Sequence, residues 1–462
     1  MPRPFIGHRL PSGRGATEQP NAAGDAETPL TPAFWALVIA TGIATGLLGI
    51  AMMWLLHLVQ HGAFGYDHGP FESGVLDASG IRRLLALVVA GAVAGPLWFL
   101  LRRATATESS DLDDELWTGT GRLSFRRSLG TSVLSEFVVG AGASIGREAA
   151  PKLLGGAAGS VLATRGRLTP AQRRLLVACG AGAGMGAVYN VPLGGALITA
   201  ELLYGSLTLP VILPALACSW IATAVSWLYL PTAATYPDVP SYPLKPTLIV
   251  FALVVGPVIG LLAVGYIRLI GWVSHYRARG RVLLVTPVAA FALLGAVSWR
   301  YPQILGNGKD LAHGAFLSSG HQAVTLLLAL VVLKPLATAL CVGSGVTGGL
   351  FTPTMSTGAV LGALLGQAWT TAWPGTPVGA FAIVAAAAAV GAAMQTPLAA
   401  LALMVELTRT TDTLIVPMIA ATVLATVVAR YLDGYSIYSS RLPARSAPER
   451  AGAATEAAGE RL

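Results

Sequence analysis

Three consecutive residues, Gly146-Arg147-Glu148, set a guanidinium and a carboxylate between uncharged runs. Val138-Val139-Gly140-Ala141-Gly142-Ala143-Ser144-Ile145 precedes them and Ala149-Ala150-Pro151 follows. An ionisable side chain inside a membrane segment is expensive, and it marks an ion pathway, a proton site or a counter-ion. A second segment offers chemistry of the opposite sign. Val342-Gly343-Ser344-Gly345-Val346-Thr347-Gly348-Gly349-Leu350-Phe351-Thr352-Pro353 reads as a glycine-rich approach to a helix start. Pro353 falls where a proline's missing N–H costs nothing, and the exposed N–H groups of such a start attract anions. Gly146 to Pro151 has a similar layout. Two helix N-termini aimed at one point make an anion site from partial charges alone. That suits permeation, where binding must replace water yet release the ion, and where a fully buried lysine would hold too tightly.

Such a site needs elements that bring backbone N–H groups to the middle of a membrane. Charged residues make up 11% of the 462-residue chain and hydrophobic residues 54%, with a mean hydropathy of +0.65. A soluble protein carries about 25% charged residues. Apolar runs recur at 33–59, 84–101, 175–189, 191–229, 247–274, 282–298, 322–342 and 377–407, several of them longer than the roughly 20 residues that cross a bilayer as a helix. The fold class is an all-α polytopic membrane protein. The first run is too long for the apolar part of a signal peptide and reads as a retained helix.

The net charge of +8 does not point to a nucleic-acid partner, because the basic residues sit in short loops beside apolar runs. Arg165, Arg167, Arg173 and Arg174 form one group, and Arg268, Arg277, Arg279 and Arg281 another. The excess of positive charge on inward loops places both groups on the cytoplasmic side. Loop 231–244 carries Asp238 and neither Lys nor Arg, and fits the outside. Cys179, Cys218 and Cys341 are widely spaced in apolar sequence; they read as small core residues rather than a disulfide framework or a metal site. Residues 1–31 and 441–462 read as disordered tails around one membrane domain at 32–440.

That domain is duplicated. Displacing the chain by 205 positions sets Gly186-Ala187 on Gly391-Ala392, Pro192-Leu193 on Pro397-Leu398 and Glu201-Leu202 on Glu406-Leu407, with the amides Asn190 and Gln395 in step. A displacement of 202 sets Pro151 on Pro353 and Gly156 on Gly358. The halves are expected at about 32–230 and 245–440. Repeated short helices interrupted by Gly and Pro point to a transporter fold with its site at the repeat interface. The 54 glycines allow close helix packing in the bilayer.

Gly146-Arg147-Glu148 with a following proline, Gly349-Leu350-Phe351-Thr352-Pro353, and the tyrosine of Tyr435-Ser436-Ile437-Tyr438-Ser439 resemble three of the four signature segments of the CLC family of chloride channels and chloride/proton antiporters. The stretches 186–202 and 391–438 are similar as well, so the resemblance covers about residues 33–440. It implies two inverted-topology halves with broken, tilted helices, and a homodimer in the cell membrane with cytoplasmic termini. Each subunit would carry its own chloride pathway and need no cofactor or metal. In this resemblance Glu148 is the gating glutamate: ionised it occupies an anion site, protonated it swings away. Desolvation and bound chloride both favour its neutral form. Tyr438 supplies a hydroxyl to the central chloride, and the N–H groups of Leu350 and Phe351 face the ion, with Gly146 and Arg147 beside it.

Two departures bear on function. The family's first signature, Gly-Ser-Gly-Ile-Pro, is replaced by Ala106-Thr107-Glu108-Ser109-Ser110-Asp111, leaving Thr107 or Ser109 to give a second hydroxyl and opening the choice between chloride and nitrate. Exchangers of the family usually carry an inward glutamate directly after the position of Glu201; here it is Leu202, which favours a voltage- or pH-gated channel over an exchanger. Glu201, repeated as Glu406, reads as a structural helix-end carboxylate. A fluoride exporter is a more distant alternative, disfavoured by Tyr438. An intramembrane enzyme is another, disfavoured because His57 and His61 near the end of the first helix form no metal cluster and no Gly-x-Ser-x-Gly turn is found.

Overall fold

The computed structural model describes residues 30–109, 111–117, 119–318, 322–409 and 413–442. The expected tails therefore lie almost wholly outside the described residues. Helix α1 (Pro32–Phe64) starts where the Thr31 hydroxyl accepts the Phe34 N–H at 3.2 Å, with proline in its first turn, and stops at Gly65 in the left-handed region. This is the usual cap asymmetry of helices. Then follow α2 (Phe71–Asp77), α3 (Gly80–Ala104), α4 (Leu112–Trp117), α5 (Phe125–Gly140), α6 (Ala149–Arg165), α7 (Pro170–Tyr189), α8 (Pro192–Leu197), a π-helical turn (Ile198–Tyr204) and α9 (Leu209–Ser226). The second half holds α10 (Pro246–His275), α11 (Thr286–Val297), α12 (Lys309–Phe316), α13 (Val324–Gly343), α14 (Phe351–Ala372), α15 (Val378–Met394), α16 (Pro397–Thr408) and α17 (Ile415–Leu432), closed by a short 3-10 turn at Ser439–Arg441. Among the described residues, α1, α3, α9, α10, α13 and α17 are long and apolar enough to cross a membrane.

The two longest apolar runs do not form single helices. Run 191–229 breaks into α8, the π-helical turn and α9, and run 377–407 breaks between α15 and α16. The breaks are written in the sequence: Asn190 and Gln395 adopt left-handed conformations (φ 56° and 60°), and Pro192 and Pro397 then open the next helix. The repeat is thus a structural one, and the halves have inverted topology.

The acids at the ends of the repeat cap each other's halves. Glu201 accepts the N–H groups of Leu398 (3.3 Å) and Ala399 (2.7 Å) at the start of α16. Glu406 accepts those of Leu193 (3.0 Å) and Gly194 (2.6 Å) at the start of α8. Each carboxylate satisfies two N–H groups that a helix start leaves without partners, and each sits where the helix dipole favours negative charge. The structural role expected for both residues follows.

At the centre, α6 lies on α7 and α14 on α15. A Cβ on Gly155 would strike the carbonyl oxygen of Gly180, and one on Gly180 that of Gly155, so these helices touch backbone to backbone. Every residue of α15 is buried. Cys179, Cys218 and Cys341 are buried free thiols.

Candidate functional site between two helix starts

The two glycine-rich segments meet. Gly146 and Gly349 form an antiparallel bridge, Gly146 N–H to Gly349 O at 2.7 Å and Gly349 N–H to Gly146 O at 2.8 Å. From this crossing α6 begins at Ala149 with Glu148 as its N-cap, and α14 begins at Phe351 with Leu350 as its N-cap. Pro151 and Pro353 both fall in the first turn. A side chain on either glycine would run into the Glu148 carboxylate, so both positions must be glycine for that carboxylate to lie across the bridge. The N–H of Gly146 is engaged by Gly349, so this glycine builds the crossing instead of donating to an ion.

Glu148 is 2% exposed, and its carboxylate reaches back to the other half. Oε1 accepts the Phe351 N–H at 2.7 Å; Oε2 accepts the hydroxyls of Tyr189 at 3.2 Å and Thr352 at 3.1 Å. The Tyr189 and Thr352 hydroxyls are themselves 2.6 Å apart. Three oxygen–oxygen contacts share two hydroxyl protons, so only two of them are hydrogen bonds at any moment. Arg147 does not pair with Glu148: its guanidinium lies 4.7 Å from the centre of the Tyr189 ring, a cation–π contact. The local Arg147–Glu148 ion pair that a charged dipeptide at a helix start suggests is therefore not what the chain builds.

The approach to the crossing is pinned from the second half. Buried Lys334 of α13 donates to Ser144 Oγ (2.9 Å), Ile304 O (3.0 Å) and Gly306 O (2.7 Å), and the Gly306 N–H donates to Gly142 O at 2.9 Å. A lysine with three acceptors meets the condition under which a buried ammonium is tolerated.

On one side of Glu148 a cavity of about 590 Å³ opens, bounded by Gly348, Gly349, Tyr438, Thr107 and Ser109. Six cations (Arg102, Arg127, Lys152, Arg277, Arg279, Arg441) line it against four carboxylates (Glu108, Asp111, Asp113, Glu148). An excess of positive charge in a low-dielectric funnel concentrates anions. Tyr438 is 7% exposed and is positioned by the Ile437 N–H, which donates to Ala393 O at 2.7 Å. The Lys152 ammonium lies 4.4 Å from the centre of the Tyr438 ring and 3.1 Å from Asp113 Oδ1.

Glu148, Leu350, Phe351, Gly146 and Arg147 come together at the crossing, with Tyr438, Thr107 and Ser109 along the cavity. Thr107 and Ser109 lie in a loop held by Arg127, whose guanidinium donates to Thr105 O (2.5 Å) and Glu108 O (2.7 Å). Sequence reasoning missed Tyr189, Lys152 and the hydroxyl of Thr352. Tyr189 carried a signal: the displacement that pairs Asn190 with Gln395 pairs it with Met394, so a polar group enters where the repeat is otherwise apolar. Lys152, a charge one turn into a helix of small residues, carried another.

Inverted halves, broken helices and a carboxylate held at two converging helix starts define a membrane transport protein of the inverted-repeat type. The chain belongs to the voltage gated chloride channel (CLC) family, whose model matches residues 90–430. It is 31% identical over 413 residues to the voltage-gated ClC-type chloride channel ClcB of Yersinia pseudotuberculosis, covering 87% of this chain and 99% of that one. The fold is similar to that of a slow cyanobacterial Cl−/H+ antiporter (TM-score 0.77, 21% identity, 91% of this chain and 100% of the other). It is also similar to that of a CLC-type fluoride/proton antiporter (TM-score 0.69, 21% identity, 88% and 97%). Members of the family are channels and transporters, not enzymes.

Proposed function

We propose that the protein passes chloride across the cell membrane through a pathway that Glu148 opens and closes, and that it works as a pH-gated channel. One observation carries this reading: the Glu148 carboxylate takes the place of an anion, bound by the Phe351 N–H and two hydroxyls at the meeting point of two helix starts. A halide is a compact anion wanted by the same donors. Protonation removes the negative charge, weakens those bonds and frees the Phe351 N–H for chloride. Tyr438 then lines the way to the cavity, and Thr107 or Ser109 offers the second hydroxyl.

The choice of channel over exchanger rests on residue 202. Leu202 is buried in the π-helical turn and has no proton to give. Chloride uptake into proteoliposomes with a simultaneous record of external pH tests the choice. Passive chloride flux without proton movement is expected, and uphill proton movement driven by a chloride gradient would overturn the channel in favour of the exchanger. Under this reading the arginine-rich cavity faces the cytoplasm, with loop 231–244 outside. A homodimer is supported by the exposed apolar side chains of Leu193, Trp220, Leu398, Ile419 and Val423 on α8, α9, α16 and α17, of which α8 and α16 are tied together by Glu406.

A further inference from the structure

Helix α5 carries a buried polar stripe that the crossing does not use. Thr131, 8% exposed, lines the cavity with Arg127. Ser128, Ser135 and Glu136 are 0 to 2% exposed, and neither the two hydroxyls nor the two carboxylate oxygens have a hydrogen-bond partner among the described residues. Ser132, on the same face, donates to Ala150 O at 3.1 Å, which turns the stripe towards the start of α6. At 1.5 Å of rise per residue, Glu136 lies about 7.5 Å further along the helix than Thr131.

Helix α5 packs on α1, α3 and α6. The ionisable groups on those elements include His57 and His61 of α1, Arg83 and Arg102 of α3 and Lys152 of α6, with Arg147 and Glu148 just before α6. The two whose charge acts on Glu136 are Arg147 and Glu148. A carboxylate buried without a hydrogen-bond donor is costly when ionised, and a proton on Glu136 removes that cost. Glu136 thus lies on the α5 stripe that starts at Thr131 in the cavity and, through Ser132 and Ala150, abuts the start of α6 just after Arg147 and Glu148.

Resting on the transport reading above, we infer that Glu136 is a proton-binding site that relays protons from the cavity to Glu148, in a chain where position 202 cannot. The step is a proton transfer that balances. Glu136 loses its proton and becomes a carboxylate facing Arg147. Glu148 gains the proton, loses its charge and leaves the Phe351 N–H. The Thr131–Ser135 side of α5 then returns a proton to Glu136 from the cavity, and the guanidinium of Arg147 shelters the charge in between.

The test uses the full-length protein in proteoliposomes. Reconstitution inserts the chain both ways, so an external acid jump reaches the cavity face in one population and the opposite face in the other. Chloride flux should therefore rise in two phases. Glu136→Gln preserves shape and should slow one phase about tenfold or more while leaving the other unchanged; Ser135→Ala should slow the same phase less. Unchanged phases in Glu136→Gln overturn the relay, as does equal slowing of both. Infrared difference spectra give a readout that needs no flux. A band from a protonated carboxyl should vanish in Glu136→Gln and change intensity in Glu148→Gln, and a spectrum lacking that band in the wild type overturns the proposal. Absence of chloride flux from the wild type would sink the transport reading, and the carboxyl band would still decide whether Glu136 holds a proton.

Discussion

The two halves place carboxylates at helix starts in two ways, one symmetric and one not. Glu201 and Glu406 occupy equivalent positions, and each accepts two N–H groups from the start of the other half's helix. Glu148 also reaches a helix start of the other half, but its equivalent as N-cap of α14 is Leu350. Where the symmetry is kept, a carboxylate locks two halves together. Where it is broken, one carboxylate faces donors with no counterpart in the other half, the place that the proposed chloride would take. Tyr189 opposite Met394 extends the same asymmetry, because its hydroxyl serves the lone carboxylate.

The largest effect should come from restoring symmetry at the crossing. Leu350 is fully buried, and Leu350→Glu would place a second carboxylate beside Glu148 without donors, at a cost of several kcal/mol or more. No folded protein should elute at its native position in size-exclusion chromatography; a folded, conducting variant would show that the asymmetry is dispensable.

Removing the symmetric caps comes next. Glu201→Ala or Glu406→Ala leaves two helix-start N–H groups unsatisfied, for about 1–3 kcal/mol each. Both variants should lower the thermal unfolding midpoint in detergent by similar amounts while keeping the pH dependence of flux. Unequal losses would break the symmetry argument, and an altered pH dependence would give one of the acids a part in gating.

A smaller effect is expected at Tyr189. Tyr189→Phe removes one of the hydroxyls on Oε2, a bond to a charged group contributing about 1.5 kcal/mol, or roughly a tenfold gain in the open fraction. Flux at neutral pH should rise and the protein should stay folded; unchanged flux would mean that this hydroxyl does not hold the gate. The mildest change is Lys152→Met, which removes a cation from the cavity beside Tyr438 and should lower the apparent chloride affinity a few-fold with gating intact. Asp113 is left as a carboxylate that the cavity still exposes. An unaltered chloride dependence would make this lysine a purely structural partner of Asp113.

Much of this was legible in the chain. The displacement of 205 residues found the breaks at Asn190 and Gln395, and the paired acids followed from it. Glycine and proline at 146–151 and 348–353 gave the two helix starts, because local backbone geometry is encoded locally. What could not be read was which atoms meet across the halves. Nothing within 20 residues of Thr352 says that its hydroxyl touches Glu148, since that contact exists only once Gly146 and Gly349 have bridged. Glu136 escaped notice for a different reason: in sequence it is one acid in a serine-rich helix, and only burial shows that it has no partner. Residue 110 and the tail segments 1–29 and 443–462 lie outside the described residues.

The gating role of Glu148 is tested most directly by chloride uptake into proteoliposomes at graded pH, comparing the wild type with Glu148→Ala. Wild-type uptake should rise as the pH falls, because protonation releases the carboxylate from Phe351, Tyr189 and Thr352. Glu148→Ala should take up chloride as fast or faster, equally at every pH. A folded Glu148→Ala protein that carries no chloride, or one that keeps the wild-type pH dependence, would contradict the gate.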